Sequence, residues 1–81
     1  LDITQKITFK QHYTVRQLNN DSVVLISECD RYLLRGRIFV QMATLLSGAH
    51  SADEITTKLL NKAPPERTYH ALMLLERGGH I

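Results

Sequence analysis

The sequence has few of the features that cross-link small proteins or attach them to membranes. Its 81 residues include one cysteine, Cys29, so neither an intrachain disulfide nor a cysteine-based zinc site can form. No apolar run approaches the roughly 18 residues that a membrane span needs. No signal-peptide pattern is present either. A reduced, cytoplasmic setting without membrane contact is therefore expected.

The sequence also has little excess of positive over negative charge and no catalytic motif. The net charge of +2 favours an acidic partner but is well below the basic footprint of nucleic-acid binding. Metal binding needs several convergent donors, and the histidines have no such spacing, so we expect neutral surface or partly buried side chains. These histidines are His12, His50, His70 and His80. Without a phosphate loop or a nucleophile–base pattern, we expect no metal, no cofactor and no catalysis by this chain alone.

What the sequence does contain is an ordinary globular composition, with 43% hydrophobic and 22% charged residues. A chain of this size makes one domain that buries about 60–65% of its unfolded surface. It opens at Leu1 without a methionine and stops at Ile81 after a glycine pair. We therefore expect residues 1–81 to be a single domain cut from a longer protein.

The first part of the chain has the periodicity of strands. Apolar residues alternate with polar ones and predict a half-buried strand from the N-terminus to about Leu18: Ile3, Ile7, Phe9, Tyr13 and Val15. After a turn at residues 19–21, β-branched residues predict a second strand over residues 22–28. Cys29-Asp30 marks a reversal, and residues 31–35 return as a third strand. The three strands predict an antiparallel meander with residues 31–35 at its open edge.

A helical period begins after Gly36. One apolar stripe predicts a first helix that should be the most buried of all: Ile38, Phe39, Met42, Leu45 and Leu46. We expect Gly48 to cap its C-terminus. Ser51 and Glu54 have the spacing of a capping box, which predicts a second, surface helix starting there. Its narrow stripe is Ile55, Leu59 and Leu60.

Pro64-Pro65 predicts the start of a third helix, and Gly78-Gly79 predicts its end. Its inward face is Thr68, Ala71, Leu72 and Leu75. One flank is Arg67, His70, Ala71 and Leu74, and the other is Tyr69, Met73 and Glu76. The element order predicts an α+β, winged-helix-like fold in which a three-stranded antiparallel sheet is followed by three helices.

The third predicted strand is the candidate binding element. An open edge exposes unpaired backbone N–H and C=O groups, so it is either protected or used. An extended peptide could complete it, with Arg31, Arg35 and Arg37 beside an acidic ligand. The same arginines could instead only discourage aggregation, and the pattern leaves both interpretations open.

An ordered set of segments carries a family resemblance: His12–Val15, Val23–Ile26, Leu34–Phe39, Leu45–Gly48, Ile55, Leu59, Pro64–Glu66, Leu72, Leu75 and Gly79. From about Gln11 to Ile81 the sequence resembles the leader-peptide recognition domain of ribosomal-peptide biosynthesis, also called the RiPP recognition element. It is similar to the N-terminal region of azoline cyclodehydratases of cyanobactin-type pathways.

The resemblance implies that the leader of a precursor peptide binds as an added strand between the third strand and the third helix. The strand side would be Tyr32, Leu33, Leu34 and Arg35, next to Arg31. The helix side would be Arg67, His70, Ala71 and Leu74. The implied partners are the precursor peptide and a modifying enzyme or adjacent catalytic domain, whose own sites lie outside these residues. Thr68 departs from relatives that carry a larger apolar residue there.

Two other functions remain open from the sequence. A winged-helix DNA-binding domain would place the third helix in the major groove. That helix is nearly neutral, since Glu66 and Glu76 offset Arg67 and Arg77, so no nucleic acid is expected. The other possibility is a domain that docks or dimerises a larger enzyme and binds no short peptide.

Overall fold

The computed structural model describes residues 2–81, and it contains two small sheets and three helices. The strands are β1 (Lys6–Thr8), β2 (Thr14–Asn19), β3 (Ser22–Ile26), β4 (Arg31–Arg35) and β5 (Ser47–Ser51). The helices are α1 (Arg37–Ala43), α2 (Ala52–Lys58) and α3 (Pro65–Arg77). One sheet has the order β2-β3-β4 and the other is the pair β1-β5. The expected α+β winged-helix class is confirmed.

The three-stranded sheet is an antiparallel meander, as predicted. Val23 of β3 lies opposite Leu34 of β4, and Leu25 lies opposite Tyr32. Val23 and Leu25 are fully buried, so this face of the sheet covers the core. All six residues of β2 are exposed, so the half-buried strand predicted there is wrong for its second half.

The single strand predicted for the N-terminal region is in fact two strands in different sheets. β1 pairs with β5, whereas β2 pairs with β3. Between β1 and β2, Phe9 N–H donates to the Leu46 carbonyl and Lys10 N–H to the His80 carbonyl. Ile7 and Phe9 are buried as expected, but Ile3 is about half exposed. Leu1, where the predicted strand began, lies outside the described residues.

The first helix is shorter and less buried than predicted. It ends at Ala43, and the segment expected to finish it becomes the turn before β5. Gly48 lies inside β5 with a φ of +87°, so it is not a helix cap. Only Met42 is buried within α1, whereas α3 buries Thr68, Ala71, Leu72 and Leu75. A strand therefore separates the first helix from the second.

The other two helices begin where the sequence predicts. Ser51 Oγ accepts from the backbone N–H of Glu54, whose carboxylate accepts from the N–H of Ser51, so the capping box is confirmed. Pro64 and Pro65 open α3. Met42, Ile55, Leu72 and Leu75 meet Leu25 in the common core. Within residues 2–81, no helix has the length and apolarity to cross a membrane.

Candidate functional site

β4 is an edge strand whose hydrogen-bonding phase is fixed at both ends. Beyond one end, Gly36 N–H donates to the Asp21 carbonyl over 2.7 Å. Beyond the other, Ser27 N–H donates to the Asp30 carbonyl over 2.8 Å. Both pairs continue the β3–β4 register, and bonded pairs alternate along an antiparallel ladder. Tyr32 and Leu34 therefore bond to β3.

The alternation leaves the backbone groups of Arg31, Leu33 and Arg35 directed to the outer edge of β4. Within residues 2–81, β4 pairs only with β3. These three residues thus present a row of N–H and C=O groups along an edge without a protein partner strand. Such a row is the backbone template that an extended chain requires.

Side chains of β4 alternate between the two faces of the sheet. Leu34 packs against the core, and Tyr32 points the same way. Arg31, Leu33 and Arg35 share the opposite face, where Leu33 is 49% exposed. A strand lying along this edge would contact core-side apolar groups with alternate side chains and the arginine-flanked face with the rest.

The sheet has a second edge at β2, and it is less regular. The register between β2 and β3 shifts between Gln17 and Asn19. Bulges of this kind twist an edge and discourage pairing. The ladder phase leaves Val15 and Gln17 with outward backbone groups there. Substitutions at the β2 edge can therefore serve as controls for substitutions at the β4 edge.

One flank of α3 is turned towards β4. Arg67, Ala71, Leu74 and Gly78 follow the spacing of one side of a helix. A Cβ at Gly78 would come within 2.7 Å of His80 Nε2. The His80 ring in turn lies 4.7 Å, between centroids, from the ring of Tyr32. The line of residues that ends at Gly78 thus runs up to β4.

The residues predicted for the helix side differ in exposure. Arg67 and His70 are exposed, and Ala71 is only 3% exposed. Leu74 is 42% exposed on the flank that leads to Gly78, and Met73 is 52% exposed elsewhere on the helix. Leu74 and Met73 are therefore both partly exposed, as expected, and Leu74 shares its flank with Gly78, which lies beside His80.

Arg37 is engaged within the chain. Its Nε lies 3.4 Å from Asp21 Oδ1, with both side chains largely exposed, so the pair contributes little to stability. For Arg31 and Arg35, the part of the chain that the structure describes supplies no acidic partner. These two arginines are the cations most accessible to a ligand at the edge.

Sequence reasoning missed two residues of this region, Tyr13 and His80. His80 is 8% exposed, more buried than the surface or partly buried position expected for it. Tyr13 Oη lies 3.2 Å from His80 Nδ1. Burial lowers the pKa of His80 and raises the pKa of Tyr13. The glycine pair before His80 was the available signal, because it allows the chain to turn back.

Surface depressions also border the two sheets, and one of them includes residues of β4. One of about 400 Å³ runs beside β1, near Lys6 and Lys10. Another of about 590 Å³ lies on the outer sheet face, near Leu18, Leu33 and Arg35. An added strand binds through backbone groups along an edge and needs no enclosed cavity.

Metal-ligating chemistry has no cluster in the described region. Across residues 2–81, no group of three or more histidine, cysteine or acidic side chains is placed to hold a metal ion. Cys29 is a free, exposed thiol in the turn before β4. The features that can act chemically are thus the β4 edge, its arginines and the facing flank of α3.

Comparison with known proteins relates this fold to two groups. A family model described as a winged helix-turn-helix domain matches residues 8–81. No curated protein sequence matches the chain. Among solved structures, the heterocyclase TruD is 25% identical and superposes with a TM-score of 0.86 over 94% of this chain. A heterocyclase in complex with substrate and cofactor is 27% identical, with a TM-score of 0.86 over 95% of the chain.

The likeness concerns a small part of those structures. The chain spans 11% of the length of TruD and 10% of the second heterocyclase. At this identity and TM-score the likeness links the winged-helix fold to heterocyclases, that is, to cyclodehydratase enzymes.

Proposed function

The chain belongs to the family of winged helix-turn-helix domains, and from that premise we propose that it binds the leader segment of a ribosomally made precursor peptide. The peptide adds as a strand to the outer edge of β4 and lies against the Arg67–Leu74 flank of α3. The observation that carries this proposal is the row of outward backbone groups at Arg31, Leu33 and Arg35, next to a helix flank with exposed Leu74.

Backbone pairing supplies the sequence-independent part of the affinity. Each of the three outward residues offers one N–H donor and one C=O acceptor. A net contribution of about 0.5–1.5 kcal/mol for each completed bond makes a short strand bind measurably. Tyr32 and Leu34 take no part in this pairing, because their backbone groups bond to β3.

Side chains supply the selectivity. Peptide residues that point inwards pack against Leu34 and Leu74, which favours apolar side chains. Residues that point outwards lie beside Arg31, Leu33 and Arg35, which favours carboxylates near the arginines. The ligand is therefore an acidic, amphipathic leader. Exposed ion pairs are screened by salt over about 10 Å near 0.1 M, so affinity should fall moderately as salt rises while the backbone component persists.

The domain acts by recruitment and does no chemistry itself. Holding the leader raises the effective concentration of the rest of the precursor at a tethered or partnered modifying enzyme. The fold likeness to heterocyclases supports an azoline-forming cyclodehydratase as that enzyme. The catalytic step and its cofactor belong to that enzyme.

Amide hydrogen exchange tests the proposal most directly. The probe is a synthetic acidic, amphipathic peptide, titrated into ¹⁵N-labelled protein. We expect new protection at the amides of Arg31, Leu33 and Arg35, with chemical-shift changes in β4 and α3. Tyr32 and Leu34, which already bond to β3, should change less. Shifts confined to β2, or absent from both β4 and α3 at saturation, would overturn the assignment.

Duplex DNA is the rival ligand. A recognition helix contacts bases and phosphates with polar and basic residues, whereas the exposed surface of α3 includes Met73 and Leu74 beside Glu66. These apolar residues favour a protein ligand. A mobility-shift titration at low salt that gave tight duplex binding, with no protection along β4, would replace the peptide proposal.

A further inference from the structure

The segment after α3 folds back across the end of the helix. Gly79 N–H donates to the Glu76 carbonyl over 3.0 Å, and His80 N–H donates to the Leu75 carbonyl over 2.9 Å. This is a Schellman motif, and its turning residue must adopt a positive φ. Gly79 does so at +76°. The motif fixes the direction in which the His80 side chain leaves the helix end.

His80 then joins three parts of the fold. Its carbonyl accepts from Lys10 N–H over 3.0 Å, and its Nδ1 lies 3.2 Å from Tyr13 Oη. Its ring lies 4.7 Å from that of Tyr32 on β4. The side chain is thus held by the segment between β1 and β2 while it touches the edge strand.

On the helix side, the ring lies so close to Gly78 that a side chain there would collide with it. A Cβ at Gly78 would lie 2.7 Å from Nε2 and 2.8 Å from Cδ2 of His80. The imidazole therefore lies between Gly78, at the C-terminal end of α3, and the ring of Tyr32. A rigid ring in this position acts as a spacer.

From this geometry we infer that His80 is a positioning residue that sets the separation between the C-terminal end of α3 and the outer edge of β4. The inference rests on the proposed function, since this separation is the width of the groove that the peptide strand enters. Tyr13 holds the spacer ring in place, and Gly78 provides the surface it bears on. His80 need not touch the peptide to control its binding.

Three substitutions separate the spacer role from other effects. His80→Ala removes the ring, so α3 and β4 lose their fixed separation. His80→Phe loses the hydrogen bond to Tyr13 but keeps a planar ring packed between Tyr13 and Tyr32, so it should retain most of the wild-type behaviour. Gly78→Ala leaves His80 intact and displaces its ring from the helix side. Its backbone is in the right-handed helical region at φ −77°, so alanine is tolerated there.

The first readout needs no peptide. Cys29 is the single cysteine, it is exposed, and it lies in the turn before β4. A nitroxide attached there broadens amides of the last turn of α3 according to their distance. We expect His80→Ala and Gly78→Ala to change this broadening at residues 75–78, and His80→Phe to leave it near wild type. Broadening that is unchanged in both His80→Ala and Gly78→Ala would overturn the inference.

The second readout is the dissociation constant of the same synthetic acidic, amphipathic peptide, measured at a temperature where circular dichroism shows all variants to be folded. Loss of preorganisation should weaken binding roughly tenfold in His80→Ala and Gly78→Ala, with His80→Phe within about threefold of wild type. Binding of His80→Ala at wild-type strength would refute the spacer role. If the wild-type protein binds no peptide, the proposed function fails, and the nitroxide measurement still decides whether His80 sets the separation.

Discussion

The backbone N–H of Gly36 donates to the carbonyl of Asp21 over 2.7 Å, and this one bond determines what β4 offers to a ligand. It fixes the phase of the ladder, so Leu34 bonds to Val23 while Leu33 faces outwards. Two adjacent leucines therefore differ completely in role. Leu34 belongs to the core side and the internal ladder, and Leu33 belongs to the free edge.

Leu33→Pro should weaken strand addition without unfolding the sheet. Proline removes the outward N–H, and its ring occupies the space of the incoming strand, whereas the β3–β4 bonds from Tyr32 and Leu34 remain. We expect peptide affinity to fall at least about tenfold, because at least one bond is lost and its neighbours are obstructed. Isothermal titration calorimetry measures the loss. Leu34→Pro is a poorer test, since it removes a ladder bond and destabilises the fold.

Two controls accompany the proline variant. Leu33→Ala keeps the N–H and should retain most of the affinity. Gln17→Pro places proline at an outward position of the other edge strand, so it should leave peptide binding unchanged. Equal losses in Leu33→Pro and Gln17→Pro would mean that the β4 edge is not the specific site.

Leu74→Glu should weaken peptide binding, and Met73→Glu should not. Both side chains are partly exposed on α3, at 42% and 52%, so both substitutions add the same charge at similar cost to folding. Only Leu74 lies on the flank that runs to Gly78 and β4. Fluorescence anisotropy with a labelled peptide compares the two, and a larger loss for Met73→Glu would place the groove on the other flank of α3.

The meander, the capping box and α3 could be predicted because their signals are local. Val23 and Leu25 alternate with less buried residues, and Ser51 and Glu54 lie within one helical turn. The division of the N-terminal strand could not be predicted. It depends on bonds from Phe9 and Lys10 to carbonyls far along the chain, at Leu46 and His80.

The strand β5 was not predicted, for a related reason. Its sequence, Ser-Gly-Ala-His-Ser, has neither β-branched nor alternating apolar residues, so only its pairing with β1 makes it a strand. Leu45 and Leu46 continue the helical period of α1, so the sequence pattern predicted an end for this helix that is too far along the chain. For the site, the sequence pointed to β4 and to Leu74. The role of His80 depends on a tertiary contact with Tyr32 that no local pattern encodes.

Thr68→Val should stabilise the fold. Thr68 is fully buried in α3 and its Oγ1 has no hydrogen-bond partner in the described structure. A buried hydroxyl without a partner is costly, so replacing it with a methyl group of similar shape should raise the free energy of unfolding by about 1 kcal/mol. Urea unfolding followed by circular dichroism measures this.

The matched control for Thr68 is Thr56 in α2. Thr56 is also buried, but its Oγ1 donates to the Ala52 carbonyl over 2.8 Å. Thr56→Val loses that bond and leaves the carbonyl with one partner fewer, so it should destabilise the protein or leave it unchanged. Stabilisation of both variants to the same extent would indicate a general preference for valine in these helices. The unpaired hydroxyl of Thr68 would then not be the cause of the gain.

Acid should destabilise the protein through His80, and His80→Phe should remove that effect. Burial lowers the pKa of His80 below its ordinary value of 6.5, because the charged ring would be poorly solvated between Tyr13 and Tyr32. Between the two pKa values the unfolded chain binds more protons than the folded one. The free energy of unfolding is therefore highest above pH 6.5 and decreases as pH falls, by at most about 1.4 kcal/mol per pH unit for one proton. Urea unfolding from about pH 8 to pH 5 measures the slope.

The capping carboxyl of Glu54 does not interfere with this measurement. Its pKa is lowered from 4.5 by its bonds to Ser51, so the stabilisation it provides is lost only at more acidic pH. An undiminished slope in His80→Phe would mean that another group takes up the proton, and the ring between α3 and β4 would then play no part in the response to acid.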